Sequence, residues 1–186
     1  MEKELIEKSL ELFSIPEKWN AFLELSFLKD KIIEHWKSKL KKYIIEKIDL
    51  PEAWDFNQNG MQWYLKEFGN NSLSIWLEGE HFSLYAEQAH YDVDLINNKL
   101  KEHKFKSVND SIMYKDIGFG NGYFFREKGR FEFENLYDNN FDSNRLAWFA
   151  GNKPDEYVNQ IRKKLQPFFE NSTTQLLIEL NRISKK

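Results

Sequence analysis

The 186-residue sequence predicts one α+β domain, residues 1–186, with an aromatic-rich, mainly antiparallel or mixed sheet flanked by a long N-terminal helix pair and C-terminal helices. Three observations predict it. Apolar residues recur every three or four positions at Phe22, Leu25, Leu28, Ile32, Trp36, Leu40 and Tyr43, the period of a helix with one buried stripe. At Met61, Trp63 and Leu65 the period changes to two, the period of a strand. Six Trp, eight Tyr and sixteen Phe supply rings that bury about 150–250 Å² each, so few of them fill a core and some remain for a binding face.

A first helix runs roughly from Glu2 to Phe13. Ser14-Ile15-Pro16-Glu17 then reads as a capping box, with Ser14 as N-cap, Glu17 reaching back and Pro16 presetting φ, which starts the second helix. Asp49-Leu50-Pro51 ends it, because the residue before a proline leaves the α region. After the strand at Met61, Ser72 to Glu87 predicts a hairpin turning at Gly79-Glu80, which pairs Leu77 with Phe82, Ile75 with Leu84 and Leu73 with Ala86. Asp92 or Asp94 caps a short helix carrying Leu95, Ile96 and Leu100, and Ser111 to Ile117 is another strand. Beyond the turn at Gly118, Gly120 and Gly122, a second hairpin pairs Phe125 with Phe131 and Tyr123 with Phe133. Leu146 to Phe149 adds a strand, Pro154 opens a helix that Pro167 breaks, and a terminal helix follows at Thr174 to Ile183.

Thirty acids against 27 bases leave a charge of −3, so any nucleic-acid or anionic-membrane binding has to be local. Zero cysteines remove disulfides, thiolate zinc sites and cysteine nucleophiles together. The start Met1-Glu2-Lys3-Glu4-Leu5 lacks the basic and apolar regions of a signal peptide, and no apolar run reaches membrane-spanning length. A cytoplasmic protein with no membrane partner is expected.

Three constellations carry the functional expectations. On the polar side of the first hairpin, Trp76, His81 and Tyr85 make either a stacking platform for a partner or a face that a helix covers. Glu87, His90, Asp92 and Asp94 form the densest run of potential metal ligands, suited to Mg²⁺, Mn²⁺ or Zn²⁺, although Asp92 and Asp94 also have work as N-caps. Seven lysines from Lys29 to Lys47 against three acids make that helix segment locally basic, either a phosphate track for nucleic acid or a solvated face. Gly118-Phe119-Gly120-Asn121-Gly122 opens an aromatic strand rather than a helix, so it reads as a wide turn and not a phosphate loop.

The order helix, three strands, helix, strand from Trp19 to Ile117 resembles the core of the PD-(D/E)XK nuclease superfamily. That chemistry needs Pro-Asp on the second strand and Glu-x-Lys on the third, whereas this chain has Glu78 without Pro-Asp and Tyr85-Ala86-Glu87-Gln88-Ala89 without the lysine. Ile75-Trp76-Leu77-Glu78 with Phe82 to Glu87, behind a long helix, is similar to the accessory region that follows the catalytic core in some bacterial and phage members. The resemblance implies a recognition or regulatory module. The expected function is therefore a non-enzymatic interaction protein holding a protein or nucleic-acid partner without a cofactor. The alternative is a metal-dependent nuclease or phosphodiesterase using Mg or Mn at Glu78, Glu87, His90 and Asp92.

Overall fold

The computed structural model describes residues 2–12, 14–78, 81–110, 112–117, 122–127, 149 and 151–186. Helices α1 (Glu2–Leu12) and α2 (Pro16–Lys47) are followed by strands β1 (Trp54–Asn57), β2 (Gln62–Leu65), β3 (Ser74–Glu78) and β4 (His81–Glu87). Helix α3 (Val93–Lys99), a 3₁₀ turn at His103–Phe105 and α4 (Lys106–Asn109) lead to β5 (Ile112–Ile117) and β6 (Gly122–Glu127). Helices α5 (Pro154–Phe169) and α6 (Asn171–Ser184) end the chain. The six strands form one sheet in the order β1-β2-β3-β4-β6-β5, with every neighbouring pair antiparallel.

The hairpin register follows the alternation of the sequence. Leu77 pairs with Phe82 and Ile75 with Leu84, and these four side chains are buried on one face. The ladder stops at Ser74 and Tyr85, short of the expected Leu73 to Ala86 pair. Leu73 instead gives its N–H to Asn181 Oδ1 at 3.1 Å and takes a hydrogen bond from Asn181 Nδ2 at 3.2 Å. Tyr91 also donates to Asn181 Oδ1, at 3.0 Å, and Asn181 Nδ2 reaches Leu177 O at 2.9 Å. One buried amide thus ties α6 to the start of β3 and to the α3 approach.

Behind the sheet, Trp63 lies between Phe56 and Phe82, with ring centroids 4.8 and 5.5 Å away. Trp54 donates from Nε1 to Thr174 Oγ1 at 3.2 Å, and Leu40, Ile44, Ile161, Leu165, Leu177 and Leu180 close the core from the helix side. Strand β1 escaped the sequence reading. It is four residues long, a sheet edge, and its form is set by pairing with β2 across a turn in which Met61 takes a left-handed φ of 48°.

Four other expectations are corrected. Ser14 does not cap α2: its hydroxyl donates to Glu11 O at 2.8 Å and closes α1, while Ile15 is the N-cap and Pro16 needs no N–H partner. Pro167 does not break its helix, because in the last turn it removes one hydrogen bond and α5 runs on to Phe169. Phe149 is helical and buried rather than in a strand. The apolar stripe of α2 is buried only near its C-terminal end, at Leu40 and Ile44, whereas Phe22, Leu25 and Leu28 are exposed. The strand expected at Phe131 to Phe133 lies outside the described residues, and the pairs expected for it are replaced: Phe125 lies between Leu84 and Lys115, and Tyr123 between Ala86 and Ile117, so both edges of β6 are already paired.

Tyr157 is buried in the core, and burial raises its phenol well above the ordinary 10.0. Burial also raises Tyr91, Tyr64 and Tyr85. A raised folded-state value means that this contribution is complete below the unfolded value of 10.0 and is lost as pH climbs toward the folded value. Urea midpoints measured from neutral pH to above 10.0 are expected to hold steady and then fall, and a flat profile through the alkaline range would contradict the burial of Tyr157.

Candidate contact surfaces

The outer face of the hairpin carries the first candidate. Trp76 and Tyr85 are half-buried, with ring centroids 4.8 Å apart at 50°. They cross the strand pair diagonally, since Trp76 faces Ser83 and Ser74 faces Tyr85. Trp76 donates from Nε1 to Ser74 Oγ at 2.9 Å, and Gln62 Nε2 donates to the same oxygen at 2.8 Å while also bonding Asn70 O. Ser74 Oγ accepts both donors, so the indole is held in one orientation and its N–H is spent inside the protein. What Trp76 offers outward is ring surface. Ser83 Oγ, on the same face, is buried without a hydrogen-bond partner. Tyr85 has its phenol raised by burial and then by Glu87. The side chain of His81 lies outside the described residues, and its backbone pairs with Glu78.

The half-burial of Trp76 sets what removing its ring is expected to cost. Trp76→Ala is expected to lower unfolding stability by about 1–3 kcal/mol, less than a fully buried tryptophan loses, because part of the ring already meets water. Chemical denaturation measures it, and a loss as large as that of Trp63→Ala would mean that the face is covered.

The acidic run is divided by the fold. His90 Nε2 stands 3.6 Å from Glu87 Oε2. Asp92 is the N-cap of α3 and accepts Leu95 N–H at 2.9 Å. The intervening loop is tied to the C-terminal segment, with Asp92 N–H on Ser184 O, Lys186 N–H on His90 O and Lys186 Nζ on Gln88 O. The side chain of Glu78 lies outside the described residues, and among the described residues no group of three or more His, Asp or Glu side chains gathers as metal ligands.

The lysines of Lys29 to Lys47 point to several sides of α2. Lys37 pairs with Glu34 at 3.1 Å, and Lys47 Nζ lies 5.4 Å from the ring centre of Tyr43. Tyr43 in turn donates to Asp155, and Arg162 bonds Lys47 O at 2.7 Å, so this end of α2 is fastened to α5. That hydrogen bond to Asp155 is the leading reason that the Tyr43 phenol is raised.

The other end of α2 is the surface that the sequence reading missed. Residues 14–31 are all exposed, and burial begins only at Ile32. Seven of the ten residues from Trp19 to Leu28 are apolar, and at about 100° per residue they point to every side of the helix. Phe27 is 84 % exposed, Leu25 59 %, Leu23 47 % and Trp19 45 %. The signal was present in the pattern, because a helix apolar all round is one that becomes buried on all sides. A period of three and four predicts a single stripe, which leaves out Leu23 and Phe27.

A cleft of about 540 Å³ opens between the β1–β2 end of the sheet and the α5–α6 junction, lined by Pro51, Ala53, Leu65, Phe169, Thr174 and Ile178 among others. Its walls come from segments far apart in the chain, so no local pattern announces it. Among the described residues no helix is long and apolar enough to cross a membrane. The chain matches no protein-family model, no curated protein and no solved structure.

Proposed function

We propose that this is a non-enzymatic interaction protein that holds a protein partner, with the exposed N-terminal half of α2 as its principal contact surface and the Trp76 and Tyr85 pair as a second. The observation that carries this reading is the all-round apolar segment Trp19 to Leu28 standing in water. Each Å² of such surface costs about 25 cal/mol relative to burial, and contiguous exposed apolar patches mark contact sites. A protein is favoured over nucleic acid because the exposed chemistry is aliphatic and aromatic, while the lysines of Lys29 to Lys47 spread around the helix instead of forming a line that a phosphate backbone follows. The resemblance to accessory regions of bacterial and phage nuclease-superfamily proteins implies that this chain recognises or regulates the partner it holds.

The test uses the full chain immobilised in a lysate of the cells that make it, beside Phe27→Glu. At 84 % exposure Phe27 contributes little to the core, so the variant is expected to melt at the same temperature while losing the captured partner. Undiminished capture by the variant would sink the reading. The purified protein is also expected to leave DNA intact with Mg²⁺ or Mn²⁺, and divalent-dependent cleavage abolished by Glu87→Ala would favour the nuclease instead.

A further inference from the structure

Deepening the reading of the Trp76 and Tyr85 pair as a contact surface, on which it rests, we infer that the outer face of the sheet receives an arginine of the protein partner. The guanidinium lies over the ring of Trp76 and donates to Ser83 Oγ. Register fixes which residues share this face. Trp76 is paired with Gln62 and with Ser83, Tyr64 with Asp55, and Ser74 with Tyr85, and residues paired across an antiparallel ladder stand on one side of the sheet. Trp63, Ile75 and Leu84 alternate with them and are buried on the other side.

The donors of the face are already engaged inside it. Trp76 Nε1 and Gln62 Nε2 both donate to Ser74 Oγ, at 2.9 and 2.8 Å, and the Tyr64 hydroxyl donates to Asp55 Oδ2 at 3.0 Å. What is left is an acceptor and a ring. Ser83, directly across the ladder from Trp76, is 2 % exposed and its hydroxyl has no hydrogen-bond partner. An unmet buried hydroxyl is unfavourable until a partner is supplied. The half-buried indole, with its N–H turned inward, offers its π surface.

Charge selects a cation. The described side chains of this face include the carboxylates of Asp55 and Glu87 and no lysine or arginine. The Glu87 side chain is 41 % exposed, with His90 at 3.6 Å, and it helps to raise the Tyr85 phenol. By ladder position Glu78 and Asp116 add two acids, and Arg126, opposite Ser83, adds one base. Strands lie about 4.8 Å apart, so carboxylates on β1 and β4 act on a cation at β3 from on the order of 10 Å, close to the screening length. Arginine meets these conditions together: its flat guanidinium carries donors and no acceptor, keeps its charge and stacks on an indole. Nucleic acid would bring phosphates to a face with excess carboxylate.

The probe is a blocked Gly-Arg-Gly-Arg-Gly peptide titrated into the full chain and followed by amide and indole nuclear magnetic resonance. Beside it runs the same peptide with citrulline, the uncharged isostere, in place of arginine. The expected result is saturable binding that shifts the Trp76 indole signal, weakens with added salt and is lost with citrulline. Trp76→Ala and Glu87→Gln are each expected to weaken it about two- to fivefold. Glu24→Gln, exposed on α2, leaves it unchanged. Ser83→Ala separates binding from folding: it removes an unmet group, so the melting temperature holds or rises while the peptide binds about threefold less tightly. Equal binding of the citrulline peptide, an equal loss in Glu24→Gln, unweakened binding by Ser83→Ala, or no binding at all would overturn the inference. If Trp76→Ala loses the captured partner while the peptide does not bind, the contact surface stands and only the arginine is removed. Capture indifferent to Trp76→Ala removes both.

Discussion

Asn181→Leu is expected to lower unfolding stability by about 3–5 kcal/mol although it adds apolar volume to the core. The amide is fully buried and serves four hydrogen bonds, to Leu73 N–H, Leu73 O, Tyr91 Oη and Leu177 O. Leucine has the size but none of the polarity. It orphans the N–H and C=O of Leu73 and the phenol of Tyr91 in a place water does not reach, at about 1–3 kcal/mol for each group, less what the added apolar burial returns. Tyr91→Phe separates the parts of the network. It removes one donor while Asn181 keeps both bonds to Leu73, so about 1 kcal/mol is expected. Urea unfolding with an unchanged slope measures both, and near-equal losses would show that Leu73 does not depend on the amide.

Trp63 is the second position of large effect. Trp63→Ala is expected to cost about 3–5 kcal/mol, because it empties the space between Phe56 and Phe82 at a point with no solvent access. Trp63→Phe is expected to cost under about 1.5 kcal/mol. The indole Nε1 is buried with no acceptor, so phenylalanine removes an unmet donor along with some packing, and the two changes oppose one another. Thermal and chemical denaturation of the two variants read the difference directly. A Phe variant as damaged as the Ala variant would mean that the N–H has an acceptor after all.

What the sequence disclosed and what it withheld divide along one physical line. The β3–β4 register followed from Leu77, Phe82, Ile75 and Leu84, since a slip of one residue would turn every one of them to water. Asp92 was legible as an N-cap because capping is a local bond, to Leu95 N–H three residues on. Ser14 has the right type in the right place and still serves the other helix, because a residue between two helices has an end on each side to satisfy. Strand β1 was too short for a period to register, and Asp55 and Asn57 are poor strand formers, so pairing with β2 decided it. The candidate surfaces show the same division. The diagonal of Trp76 and Tyr85 was fixed by hairpin geometry alone, whereas the exposure of Trp19 to Leu28 depended on where the body of the domain ends along α2. Periodicity identifies which residues seek cover, but not whether their own chain provides it.

Sheets lengthen sideways wherever an edge strand leaves amide protons unclaimed, and that is how many β proteins come to aggregate. At β1 this route is closed. Trp54 N–H is bonded to Pro51 O at 2.9 Å, and Phe56 N–H is covered by the carboxylate of its own neighbour, Asp55, at 2.8 Å. The strand ends one residue later, and Asn57 folds its side-chain oxygen back onto Asn59 N–H at 3.1 Å. A stray strand arriving here meets spent donors and a negative charge instead of a template. Growth toward fibrils from this edge is suppressed by hydrogen bonds made within a few residues of one another, so the protection is in place as soon as this short segment has folded.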